Sequence, residues 1–239
     1  MSISLFQVTI CCEPKKKEKR DVSSSGLTVQ PATNLPSSLY CLNVSAPELP
    51  SSNSDGKGDF NIDYAVRAEE FLDGYSEVFY LDGDDEFDTN TLGVVCSQYP
   101  YGYLGDTVSP CIFLTLTDIE NVEPDPITEE DFDARSFPFS PSFRTFWESQ
   151  SNKEQVFIDC CSTSDIEIQY FPASRGFETK YFPITDDSNV PIVAIQISGL
   201  SLGKHDVQCR AYYKGVKFTN EDKYKSVINF TLEMITAVK

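Results

Sequence analysis

The sequence predicts a mainly β protein, a β-sandwich with one α-helix packed on it, and three observations carry that expectation. Several segments alternate apolar and polar residues with period two, a single stretch repeats its apolar residues at helical spacing, and helix is too scarce for alternating β–α units. A chain of 239 residues with 40% hydrophobic content can bury a full core, and mainly β folds of this length often remain one domain.

Residues 1–25 are set apart first. EPKKKEKRDVSSS is charged and then serine-rich, a composition that does not form a core, so the segment is expected to be a flexible lead. Cys11 and Cys12 beside Lys15, Lys16 and Lys17 fit either an acylation site with basic reinforcement or a plain tail with incidental cysteines. No apolar stretch approaches the roughly 20 residues that span a bilayer, and MSISLFQVTICC lacks the basic flank and full apolar core of a signal peptide. The chain as written is therefore expected to have no anchor of its own, and residues 26–239 to form the folded unit.

Within that unit, residues 26–58 mix prolines and serines with short apolar pieces and read as extended segments and loops. Asp63 then suits a helix N-cap, and Tyr64, Ala68, Phe71, Leu72 and Tyr75 fall on one helical face, with Gly74 near the end. Ile112, Leu114 and Leu116 alternate as a strand, as do Val193, Ile195 and Ile197, and finally Ile228, Phe230, Leu232 and Met234. Asn229, Thr231 and Glu233 must face away from that last apolar row. Cys209 shares a face with Val207 and Ala211, so its thiol is expected to point inward. Residues 123–155, rich in acids, Phe, Pro and Ser, read as a long excursion.

Charge and composition exclude several function classes. A net charge of −18 denies nucleic acid the basic surface its phosphates need, and without residues 1–25 the remainder carries 14 basic against 34 acidic groups. His205 is the only histidine, so histidine triads and multi-histidine zinc sites cannot form within one chain; in LGKHDV it reads as an exposed turn residue. Asp82, Asp84, Asp85, Glu86 and Asp88 offer oxygen ligands for calcium but lack the glycine and terminal Glu of an EF-hand, which leaves a solvated acidic loop. No glycine-rich phosphate loop follows a strand. Neither catalytic residues, nor a cofactor, nor a metal site is expected.

Eight cysteines and the sequons Asn43-Val44-Ser45 and Asn229-Phe230-Thr231 favour an oxidising, secretory compartment, with Asn43 and Asn229 as glycosylation candidates. The doublets Cys11-Cys12 and Cys160-Cys161 lack the two-residue gap of a zinc knuckle or redox motif. Thirty aromatic residues include Tyr170, Phe171, Phe177, Tyr181 and Phe182 beside prolines. That cluster suits either an interface, where aromatics combine contact area with small entropy loss, or core filling.

Four landmarks in this order resemble the ectodomain of sodium/potassium-transporting ATPase beta subunits. CSQYPYGYLGDTVSPC, from Cys96 to Cys111, is similar to the family's short cysteine-closed loop, with Tyr101, Gly102 and Tyr103 matching its Tyr-Gly-Tyr and Pro110 preceding the second cysteine. Tyr170, Phe171 and Pro172, then Arg175, Gly176, Tyr181 and Pro183, resemble the family's aromatic-proline run. Val193, Ala194, Ile195 and Gln196 resemble its Val-Ala-Val-Gln strand. Cys209, Arg210, Ala211 and Tyr212 stand where the family has Cys-Lys-Ala-Tyr, and Asp222 to Met234 follow its final strand.

The resemblance implies an immunoglobulin-like version of the sandwich and two disulfides, Cys96 to Cys111 and Cys160 to Cys209. It does not reproduce the family's first disulfide, since no cysteine lies between Cys41 and Cys96. It also implies a noncatalytic accessory subunit on the extracellular face of the plasma membrane, partnered with a P-type ATPase alpha subunit that hydrolyses ATP, and no small-molecule substrate of its own. Membrane contact would come through the partner or an anchor missing from this chain, because family members carry a membrane-spanning helix before the ectodomain. Tyr170, Phe171, Pro172, Gly176 and Tyr181 are the partner-binding residues so implied. Proton/potassium pump beta subunits share the architecture, and a free-standing adhesion or secreted immunoglobulin-like module is the competing class.

Overall fold

The computed structural model describes residues 26–31, 39–43, 60–76, 87–117, 124–133, 140–182, 190–214 and 226–236. The expectations for residues 1–25, including Cys11 and Cys12, and for Asp82, Asp84, Asp85 and Glu86 lie outside these. The described strands are β1 (Gly26–Gln30), β2 (Leu39–Asn43), β3 (Cys111–Thr117), β4 (Gln155–Ser162), β5 (Glu167–Phe171), β6 (Gly176–Glu178), β7 (Ile192–Ser198), β8 (Gly203–Tyr212) and β9 (Val227–Ile235). They form two sheets, one in the order β1-β3-β7-β5 and one in the order β2-β9-β8-β4-β6. This is the mainly β sandwich that the period-two segments predict, in the immunoglobulin-like form that the resemblance implies. Every described pairing is antiparallel except β2 with β9, which is parallel.

The core lies between the sheets, and strand periodicity fills it. Ile112 and Leu114 of β3, Val193 and Ile195 of β7, Val156 and Ile158 of β4, Val207, Cys209 and Ala211 of β8, and Phe230, Leu232 and Met234 of β9 are all buried in one cluster. Successive strand side chains point to opposite faces, so Gln208, Arg210 and Asp159 project from the outer face of the second sheet. They are nonetheless buried.

Helix α1 (Phe60–Ser76) begins three residues before Asp63, which corrects its expected cap role: Asp63 sits in the first turn and pairs with Arg67 at 2.9 Å. The helix buries Tyr64, Ala65, Ala68 and Leu72. It covers β2, the last strand of its sheet, where the Cys41 backbone N–H donates to the Tyr64 hydroxyl at 3.4 Å. Covering an edge in this way removes a site for unwanted strand pairing.

The excursion over residues 123–155 carries helix of its own, so α1 is not the single helix expected. A short turn α2 (Gly93–Cys96) precedes the cysteine loop, and α3 (Glu129–Asp133) and α4 (Pro141–Ser149) form a layer outside the second sheet. Ser140 caps α4 by accepting from the Phe143 N–H at 3.0 Å, and Pro141 takes the first helical position, where a missing N–H is harmless. Phe143 and Trp147 then bury against Ile127, Phe157 and Tyr212 in a second, smaller core. Phe143 stacks on Tyr212 with centroids 4.7 Å apart.

His205 is a further correction. It lies in β8, on the inward row of Val207, Cys209 and Ala211, and is only 5% exposed. Its Nε2 bonds the Ser201 carbonyl at 2.7 Å, while Nδ1 has no hydrogen-bond partner among the described residues.

Candidate docking site

The Cys96–Cys111 loop supports one flank of the candidate site. The two cysteines are joined, with Cα atoms 5.6 Å apart, and the Tyr103 hydroxyl donates to the Cys111 carbonyl at 2.8 Å. Gly102 has φ +73°, and a Cβ there would stand 2.0 Å from the Ser109 carbonyl oxygen. Only glycine fits that backbone approach, which is what the Tyr-Gly-Tyr motif requires. At the loop's start, Val94 is 75% exposed and Tyr99 44%.

Cys160 and Cys209 face each other across β4 and β8 and are also joined. Cys41 and Cys161 are half-buried, and Cys41 is in no disulfide among the described residues. Burial, then the Glu233 carboxylate beside it, pushes the Cys41 thiol up, so it is a poor nucleophile.

The aromatic-proline segment folds as β5, a turn over Pro172–Arg175, β6 and a short 3-10 turn over Thr179–Tyr181. Its predicted residues divide into two groups. Phe171, Pro172 and Tyr181 are half-buried, with surface left to offer, whereas Tyr170 and Gly176 are buried. The expectation of an exposed contact therefore does not suit Tyr170 or Gly176, and Pro183 lies outside the described residues.

Tyr170 is a brace. From the edge strand β5 its hydroxyl accepts from the Cys160 N–H at 2.8 Å and lies 3.3 Å from the Cys160 carbonyl, joining the first sheet to β4 of the second just beyond the β4–β6 pairing. Burial pushes its phenol above the ordinary tyrosine range, with the Asp159 carboxylate acting in the same direction. Phe171, one residue on, faces the opposite way. Its ring lies so close to Gly93 that a Cβ there would be 2.6 Å from it.

Tyr181 stands at the end of a chain of rings. It packs on Phe87 at 6.0 Å, Phe87 on Tyr75 at 6.4 Å, Tyr75 on Phe71 at 5.4 Å, and Phe71 on Phe113 at 5.7 Å. The candidate docking segment is thus braced against α1 and the core through Phe87, a residue that sequence reasoning missed because it sits inside the acidic run. Edge-to-face rings at such spacings are favourable and resist displacement.

Arg175 completes the turn. Its guanidinium carbon lies 4.3 Å from the ring centroids of both Phe146 on α4 and Tyr170 on β5, and one of its nitrogens is 4.0 Å from Asp159 Oδ1. Asp159 Oδ2 accepts from the Ser140 hydroxyl, 3.2 Å away. Burial raises the Asp159 pKa, against the lowering effects of the Ser140 hydrogen bond and the Arg175 and Arg210 charges.

The sequons occupy other places. Asn43 ends β2, and the rest of its sequon lies outside the described residues. Asn229 sits on the outer face of β9, where its Oδ1 accepts from Gln208 Nε2 at 2.8 Å and Thr231 bonds Asp206. Among the described residues no group of three His, Cys, Asp or Glu side chains could hold a metal ion, and no helix is long and apolar enough to cross a membrane.

The sodium/potassium ATPase beta chain family model matches residues 86–230, which run from the ring chain at Phe87, through the cysteine loop and the docking turn, into β9. The chain belongs to that family. No curated protein sequence matches it closely enough to add a relative. Within the family frame, the matched span contains both disulfides and every residue of the candidate docking turn.

Proposed function

We propose that the chain is the noncatalytic accessory beta subunit of a sodium/potassium-transporting P-type ATPase, supporting assembly, membrane delivery and cation transport by an alpha subunit that hydrolyses ATP. The observation that carries this reading is the family match over residues 86–230. The two disulfides support an oxidising compartment and hence an extracellular sandwich, with Asn43 and Asn229 as glycan acceptors. The docking surface is centred on Phe171, Pro172 and Tyr181, with Tyr170 and Gly176 holding them from beneath. Half-exposed aromatics on a braced turn offer contact area with little left to order on binding.

The test co-expresses the full chain with a sodium/potassium ATPase alpha subunit and compares capture by wild type, Phe171→Ala and Tyr181→Ala. Each variant should keep the wild-type melting profile within a few degrees and lose affinity by roughly tenfold or more, the scale of an interface anchor. Unchanged capture by both folded variants would remove this surface. Preference for a proton/potassium pump alpha subunit would reassign the pump, and capture of neither would favour a free-standing module.

A further inference from the structure

Arg175 has φ +54°, in the left-handed region, although it carries a side chain and Gly176 is its neighbour. An L-residue held there is strained and persists only where its surroundings over-determine it. Five contacts do so. The Arg175 N–H donates to the Pro172 carbonyl at 3.0 Å, and its own carbonyl accepts from the Ile158 N–H at 2.6 Å. Its guanidinium lies between the Phe146 and Tyr170 rings and near Asp159, which is buried.

Two of those partners reach α4. Phe146 is on the helix itself, and Asp159 bonds Ser140, the residue that caps it. On the other side, the Pro172–Arg175 turn directly follows Phe171. A planar guanidinium can stack on two rings while keeping its edge for a carboxylate, which a lysine ammonium cannot do.

We propose that Arg175 is a positioning residue for the docking turn, clamped between Phe146 and Tyr170 so that the α3–α4 layer sets how Phe171 and Pro172 are presented to the alpha subunit. This rests on the docking reading above. The α3–α4 layer then acts on partner affinity without touching the partner, because loosening the clamp leaves the turn to be ordered on binding.

The test uses the full chain with a co-expressed alpha subunit and three variants, Arg175→Gly, Arg175→Lys and Phe146→Ala. Glycine adopts the left-handed backbone without steric cost, so Arg175→Gly removes the clamp and relieves the strain together. It should keep a melting temperature near wild type yet weaken capture by about tenfold, the effect of re-ordering one or two side chains on binding. A merely structural residue would move both readouts together. Arg175→Lys should not restore capture. Phe146→Ala should weaken capture in the wild-type background and add little to Arg175→Gly, the non-additivity expected of one shared contact. It should also speed hydrogen exchange of the Arg175 and Ile158 amides, a readout that needs no partner. Unchanged capture by folded Arg175→Gly, additive effects of the two changes, or unaltered exchange in Phe146→Ala would overturn the proposal. If Phe171→Ala and Tyr181→Ala lose capture while Arg175→Gly does not, only the clamp fails; if none of the three loses it, the docking surface fails as well.

Discussion

Replacing Tyr170 with phenylalanine isolates one hydroxyl that ties the two sheets together. The ring keeps its volume and its place beside Arg175, so the change removes the bonds to the Cys160 N–H and carbonyl and little else. A made hydrogen bond contributes about 0.5–1.5 kcal/mol net, and a buried donor left unpaired costs about 1–3 kcal/mol. Cys160 is half-buried, so water reaches it in part and the loss should be about 1–2 kcal/mol. For a domain of this size that lowers Tm by roughly 2–8 °C. Alanine at the same position deletes a buried ring as well and should cost about 3–5 kcal/mol. The assays are thermal melts, amide exchange at Cys160 and alpha-subunit capture. Tyr170→Phe should melt earlier, exchange faster at Cys160 and capture normally. An unchanged melt with unchanged exchange would refute the brace, and lost capture with an unchanged melt would return Tyr170 to the contact surface.

Gly102→Ala should destabilise the cysteine loop by about 3 kcal/mol or more, since left-handed backbone strain adds to a clash with Ser109 that no rotamer relieves; a melt within 2 °C or so of wild type would contradict this. Nonreducing peptide mapping should recover Cys96 with Cys111 and Cys160 with Cys209, and leave Cys41 open to alkylation after unfolding; opening the second bridge, whose cysteines are 49 residues apart, should cost about 4 kcal/mol on the chain-entropy model. Stability should fall above pH 10. The phenols of Tyr40, Tyr64, Tyr75, Tyr103 and Tyr170 are held above their ordinary value chiefly by burial, and Tyr101 is pushed up to about 12. The unfolded chain releases these protons near pH 10 and the folded chain later, so each well-shielded phenol removes up to about 1.4 kcal/mol per pH unit above 10. Phenolate absorbance rising before unfolding would be the contrary result.

Strand β9 and helix α1 were legible because each buries one face only, which leaves its period in the residue types; β3 and β7 are buried on both faces and were legible only through their alternating branched apolar residues. Helices α3 and α4 were not, because Phe, Pro, Ser and acids dominate their composition. The local signals were present: Ser140-Pro141 opens a helix, and Phe143, Phe146 and Trp147 fall at i, i+3 and i+4. Their target was also visible in outward-facing Phe157 and Tyr212, which leave an apolar patch for a second layer. His205 was hidden by Lys204 and Asp206 on either side, although extending the Val207, Cys209, Ala211 row back by two places it inward. In the candidate docking turn, strand alternation separates Tyr170 from Phe171, but the choice of which faces the core depends on β7 and β4, and no local pattern contains that.

The most direct test of the account is co-purification of the tagged full chain, co-expressed with a sodium/potassium ATPase alpha subunit, from detergent-solubilised membranes. The account predicts an equimolar complex that survives gel filtration and whose yield of membrane-inserted alpha subunit depends on this chain. A folded, disulfide-bonded chain that elutes alone, with alpha-subunit yield unaffected by its presence, would contradict it.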